Sequence, residues 1–142
     1  MKYDAGSGAL EQMVLAEYLP DHFDAHLAKL NVTLEAKLNA LTGALDEEFG
    51  ASVEYRRPDG GIFLWVTLPG NVDAARLAAV ARAEGVEINP GPDWSLGEDA
   101  SQHIRICFAN PSVEKIRGGV AKLADVCHRE FGTPERGGNK SR

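Results

Sequence analysis

Apolar residues recur at two spacings along this chain, and each change of spacing marks a change of element. Leu10, Met13, Val14 and Tyr18 stand three and four residues apart, which predicts helix. Asp4 to Gly8 precedes them as a loop in which Ser7 is placed to cap. Pro20 is expected to interrupt this stretch, with Asp21 capping a new helix over residues 23–49. Phe23, Leu27, Leu30, Leu34, Leu38, Leu41 and Leu45 form one stripe along it, with Lys29, Glu35, Lys37, Glu47 and Glu48 on other faces. Gly50 ends it. A stripe this long needs a broad surface to lie on; a coiled coil is the plain alternative.

The period then falls to two. Val53 and Tyr55 alternate with Glu54 and Arg56. Pro58-Asp59-Gly60-Gly61 is a turn, because proline presets φ and glycine accepts positive φ. Residues 62–68 are β-rich and return, so the pair predicts a hairpin closed by Pro69-Gly70-Asn71. Residues 73–84 form a short helix with Leu77, Val80 and Ala81 inward, stopped by Gly85. Residues 86–88 are a short strand. Residues 89–100, with Pro90-Gly91-Pro92 and Trp94, form a loop of about a dozen residues, long enough to suggest function. Residues 103–108 are a strand with Ile104, Ile106 and Phe108 on one face and His103, Arg105 and Cys107 on the other. Ser112 caps a last helix striped by Val113, Ile116, Val120, Leu123 and Cys127, and Gly118-Gly119 weakens it by about 1 kcal/mol per glycine.

This order predicts an α/β (α+β) two-layer sandwich. A small, mostly antiparallel sheet is covered on one face by helices and preceded by a long helix. With 142 residues, 44% hydrophobic and 25% charged, the chain can bury a core. A net charge of -6 gives nucleic acid no basic face to bind. No apolar run has the length of a membrane span, and Met1-Lys2-Tyr3-Asp4 opens no signal peptide, so the expected place is the cytoplasm. Cys107 and Cys127 form no CxxC pair and are expected reduced, although a disulfide between them stays open.

Arg105 is the residue of greatest chemical interest. Between Ile104 and Ile106 it is either a solvated edge residue or a fixed guanidinium that grips a carboxylate through two parallel hydrogen bonds. The long loop before it is placed to fold over such a site. His103 shares the face and is expected to be structural. His22 and His26 stand at i, i+4 without an acidic or cysteine partner at ligand spacing, so no metal is expected. Gly60-Gly61 is a turn, or lets backbone approach a ligand. There is no GxGxxG before a helix, no P-loop and no nucleophile elbow.

Three segments together resemble fold-type-I, pyridoxal-phosphate-dependent aminotransferases, most closely the aminoadipate-type and broad-range subgroup. Gly60-Gly61-Ile62-Phe63-Leu64-Trp65-Val66-Thr67-Leu68-Pro69 resembles the family's GGxFLWxxLP hairpin. Gly85-Val86 followed by Pro90-Gly91 resembles GVxxxPG, and Ile104 through Ser112 resembles IRLxFAxPS. The resemblance runs from about Lys2 to Phe131. It implies that residues 1–22 are a linker and helix from a large domain, that 23–131 are the carboxy-terminal small domain, and that 132–142 are a disordered tail. It also implies substrate α-carboxylate binding by Arg105, with Gly60 and Gly61 near the substrate entrance. The substrates are then an amino acid and a 2-oxo acid, and the complete enzyme is a homodimer.

The Schiff-base lysine of the family has no match among Lys2, Lys29, Lys37, Lys115, Lys122 and Lys140, and Leu34 and Lys37 stand near the family's tyrosine and arginine places. The resemblance therefore implies no catalytic or cofactor-binding residue here and no pyridoxal 5'-phosphate held by this chain alone. Two alternatives stay open. One is the effector-domain portion of a GntR-type transcriptional regulator with an aminotransferase-like fold. The other is a stand-alone, non-catalytic α/β interaction domain.

Overall fold

A computed structural model describes residues 8–95 and 98–135; Ser7 and most of the expected tail lie outside them. The elements are α1 (Ala9–Phe49), β1 (Glu54–Tyr55), β2 (Phe63–Thr67), α2 (Ala74–Ala83), β3 (Asn89–Pro90), β4 (His103–Cys107) and α3 (Val113–Phe131). The four strands form one antiparallel sheet in the order β1-β2-β4-β3. The chain divides into two compact units, residues 1–33 and 34–142.

In the second unit the alternation along the strands sorts the two sheet faces. Leu64 and Val66 of β2 and Ile104 of β4 are buried. They meet Leu38, Leu41 and Leu45 of α1, Leu77 and Ala81 of α2, and Ile116, Val120 and Leu123 of α3 in one core. Residues four and three apart on each helix thus supply the inner layer, as their stripes predict. The expected two-layer α/β arrangement, with a small antiparallel sheet and a long first helix, is what the chain adopts. Side-chain caps fix two helix starts. The Asp73 carboxylate accepts from Arg76 N–H at 2.6 Å, and Ser112 Oγ accepts from Lys115 N–H at 3.3 Å.

Three expectations change. Pro20 does not interrupt the first helix, which is continuous through 41 residues, so Asp21 starts nothing. Proline removes one N–H and crowds the preceding turn, but its fixed φ is helical, and the turns on either side carry on. The strand expected at 86–88 pairs only at Asn89–Pro90. Val86 N–H is still bonded to Ala81 O at 2.9 Å, closing the end of α2, while Ile88 is spent on the core. The dozen-residue loop therefore begins as a strand and goes on through two short 3-10 segments, Gly91–Asp93 and Glu98–Gln102.

The first unit is described by residues 8–33, all helical after Gly8 and all exposed. Leu10, Met13, Val14, Tyr18, Phe23 and Val32 are among its exposed large apolar side chains. The stripe expected over seven turns is buried only from Leu38 onward. No helix among the described residues is long and apolar enough to cross a membrane.

Candidate functional site

The sheet face away from the core carries the polar chemistry. β4 lies between β2 and β3, so Arg105 has Trp65 as cross-strand partner on one side and Asn89 on the other. Alternation puts Phe63, Trp65, His103 and Cys107 on the same face as Arg105. His103 stacks on Trp65, with ring centres 5.4 Å apart and planes 21° from parallel. Cys107 is half-buried here, while Cys127 lies in the core, where burial pushes its thiol up to about 11; both thiols are free.

Arg105 is held by two aromatic rings. Its Cζ lies 3.9 Å from the centre of the Phe63 ring and 3.3 Å from that of Trp94. Nitrogen atoms and their hydrogens occupy the edges of a guanidinium, so a ring centre this close can only lie over a face. Two rings at that distance cannot share one face, and Arg105 therefore stands between Phe63 and Trp94. Each such contact contributes about 0.5–2 kcal/mol, depending on desolvation. Arg105 Nε is buried and has no hydrogen-bond partner. An unmet donor of this kind costs about 1–3 kcal/mol.

Trp94 reaches this position because the loop turns tightly at Gly91. Trp94 and Ser95 N–H both donate to Gly91 O at 2.9 Å. Gly91 itself is buried against backbone, and a Cβ there would collide with the carbonyl oxygens of Ala100 and His103. The loop before Arg105 thus brings its tryptophan to the guanidinium.

Gly60 and Gly61 are exposed in the bend that leads into β2, and Gly61 has φ 84°. They precede β2, the strand that carries Phe63 to the Arg105 face. Phe63 and Trp94 are the site residues missed by reading the sequence. The alternation along β2 places Phe63 beside Arg105, but no spacing in the sequence gives the fold-back of Trp94.

The His22 ring lies against that of Tyr18, with centres 4.1 Å apart and planes tilted by 31°, and among the described residues no group of three His, Cys, Asp or Glu is placed to hold a metal. The described lysines, Lys29, Lys37, Lys115 and Lys122, all lie on α1 or α3, and none is on the strands that form the Arg105 face. Lys37 Nζ donates to Ala109 O. A cavity of about 1150 Å³ is lined by Glu47, Glu48 and Glu54 among others and does not include Arg105.

The family model for aminotransferases of class I and II matches residues 5–123. The chain belongs to that family. It is 29% identical over 129 residues to aromatic-amino-acid aminotransferase 1 of Thermococcus litoralis, covering 90% of this chain and 31% of that protein. It is 35% identical over 116 residues to the uncharacterized HTH-type transcriptional regulator YdcR of Escherichia coli, covering 81% of this chain and 25% of YdcR. Among solved structures it is similar to LysN, the α-aminoadipate aminotransferase of Thermus thermophilus, with TM-score 0.76 and 32% identity, over 87% of this chain and 32% of LysN. That LysN structure is a complex with N-(5'-phosphopyridoxyl)-L-leucine. The chain spans about a third of the length of the aminotransferases it matches.

Proposed function

We propose that this chain is the small-domain portion of a pyridoxal-phosphate-dependent aminotransferase that moves an amino group between an amino acid and a 2-oxo acid. Residues 1–22 are then the link from the large domain, residues 23–131 the small domain and residues 132–142 its tail. Arg105 binds the substrate α-carboxylate, with Gly60 and Gly61 at the entrance. The observation that carries this reading is Arg105 itself, a guanidinium fixed on a sheet face with a buried, unpartnered Nε–H. A carboxylate in the guanidinium plane takes two charge-assisted hydrogen bonds from the two Nη groups, while the buried Nε stays out of reach.

The described residues do not fit the cofactor. It requires an amine and a phosphate cradle beside the substrate, and no described lysine lies on the strands that bear Arg105. Pyridoxal phosphate, when bound, supplies the electron sink for chemistry at the substrate's α-carbon. In this reading a large domain holds it, in a cytoplasmic homodimer. What this chain contributes is orientation: pinning the carboxylate fixes the amino acid about its Cα. The exposed apolar side chains of residues 9–33 support a large-domain neighbour, because so many in one stretch exceed what a free surface normally shows.

The identity to YdcR favours a second reading, in which the same fold serves as the effector domain of a regulator. A helix-turn-helix encoded upstream of these residues would select it.

The test is Arg105→Ala in the complete, cofactor-loaded gene product. Losing a two-bond ion pair is expected to lower kcat/KM for amino acids by about a hundredfold, or about 3 kcal/mol. Unchanged kinetics would remove Arg105 from the site. An active protein with no upstream helix-turn-helix excludes the regulator.

A further inference from the structure

We infer that Trp94 and Phe63 are positioning residues that set the direction from which a carboxylate can reach Arg105, an inference that rests on the carboxylate-binding role proposed above. A ring covers each face of the guanidinium and Nε is buried, so a ligand is left only the edge that carries the two Nη nitrogens. That edge takes the two oxygens of a planar carboxylate side by side. A single acceptor, such as an amide oxygen, engages it at one point. The clamp therefore selects free α-carboxylates over amides and esters of the same amino acids. It also makes arginine necessary, since lysine has no flat group to hold between rings.

The two halves of the clamp differ in origin. Phe63 is fixed by the β2–β4 ladder, where it pairs with Cys107. Trp94 stands on the loop between β3 and β4 and is about half exposed. Its position depends on the turn at Gly91, whose carbonyl accepts from Trp94 and Ser95 N–H. Trp94 is thus the adjustable wall. Without it one face of Arg105 opens, and the guanidinium can turn away from the plane that serves the carboxylate.

The experiment compares an acid with its amide. 2-Methylalanine and 2-methylalaninamide lack a Cα–H bond, so both bind without amino transfer. Each is titrated calorimetrically into the complete, cofactor-loaded protein and its Trp94→Ala, Trp94→Phe and Phe63→Leu variants. Wild type is expected to prefer the acid. Trp94→Ala reduces that preference about tenfold, Trp94→Phe restores it, and Phe63→Leu reduces it in the same sense. A preference that survives both Trp94→Ala and Phe63→Leu overturns the clamp and leaves the role of Arg105 standing. Wild type that binds acid and amide equally overturns both. A second readout needs no ligand. In the 142-residue chain, ring currents shift the Arg105 Nε–H resonance upfield, and Trp94→Ala returns it downfield. A resonance that does not move shows that Trp94 does not stack on Arg105 in solution.

Discussion

Gly91 shows how a residue with no chemistry of its own controls one that has it. Its α-carbon lies under the carbonyls of Ala100 and His103, and the His103 oxygen would stand 2.9 Å from any Cβ placed there. Neither atom can give way easily. One begins the strand that carries Arg105, and the other lies in the 3-10 turn that leads to it. Gly91→Ala must therefore push the turn outward and take Trp94 with it. The expected cost is about 1–3 kcal/mol, typical of a methyl forced into a packed site, read as a lower urea midpoint. The Arg105 Nε–H resonance should move in the same direction as in Trp94→Ala. A variant with the wild-type midpoint would show that the loop relaxes freely and that Gly91 does not hold it.

At the scale of elements, β1 has only two residues, yet it is fastened to α1. Tyr55 Oη donates to Asp46 Oδ1 at 2.7 Å and lies 3.4 Å from Thr42 O. Burial first, then the bond to the Asp46 carboxylate, raises the Tyr55 phenol to about 12. An unfolded tyrosine loses its proton near pH 10. Between the two values the folded chain holds a proton that the unfolded chain has released. The stabilisation is then complete below pH 10 and is lost as pH rises toward 12. Tyr55→Phe lacks both the bond and the titration. Wild type should be the more stable at pH 8, and the gap should close between pH 10 and 12. A gap that is constant with pH would mean that the phenol feels no partner.

The hairpin around this strand was legible from Val53 onward, because alternation and the Pro58-Asp59-Gly60-Gly61 turn agree. So were α2 and α3, whose caps and stripes are local. Pairing at Asn89–Pro90 was not, since whether residues 86–88 belong to strand or helix end is decided by the Val86 bond to Ala81. Arg105 could be singled out from its place in the strand, whereas the Trp94 ring over it comes from a loop turn that no periodicity encodes.

For the whole molecule, burial is concentrated in one part of the sequence. Every described buried residue is Leu38 or later, although α1 begins at Ala9. Residues 9–33 therefore contribute almost none of the area-dependent stabilisation, which is about 25 cal/mol per Å² of apolar surface removed from water. Most helical stability in proteins comes from packing an apolar face rather than from backbone bonds alone. Residues 34–142 should then fold without the first 33. Expressed alone, they should melt cooperatively within about 4–8 °C of the 142-residue chain, the shift produced by about 1 kcal/mol in a domain near this size. They should also associate less, because Leu10, Met13, Val14, Tyr18 and Phe23 go with the deleted segment. Circular dichroism gives the midpoint and sedimentation gives the mass. Loss of the cooperative transition would show that the first helical turns stabilise the core from outside it. A retained transition with the same self-association would move the adhesive surface to the Arg105 face, where Phe63, Trp65 and Trp94 are the exposed apolar groups. The apolar residues of 9–33 would then lose their force as support for a large-domain neighbour.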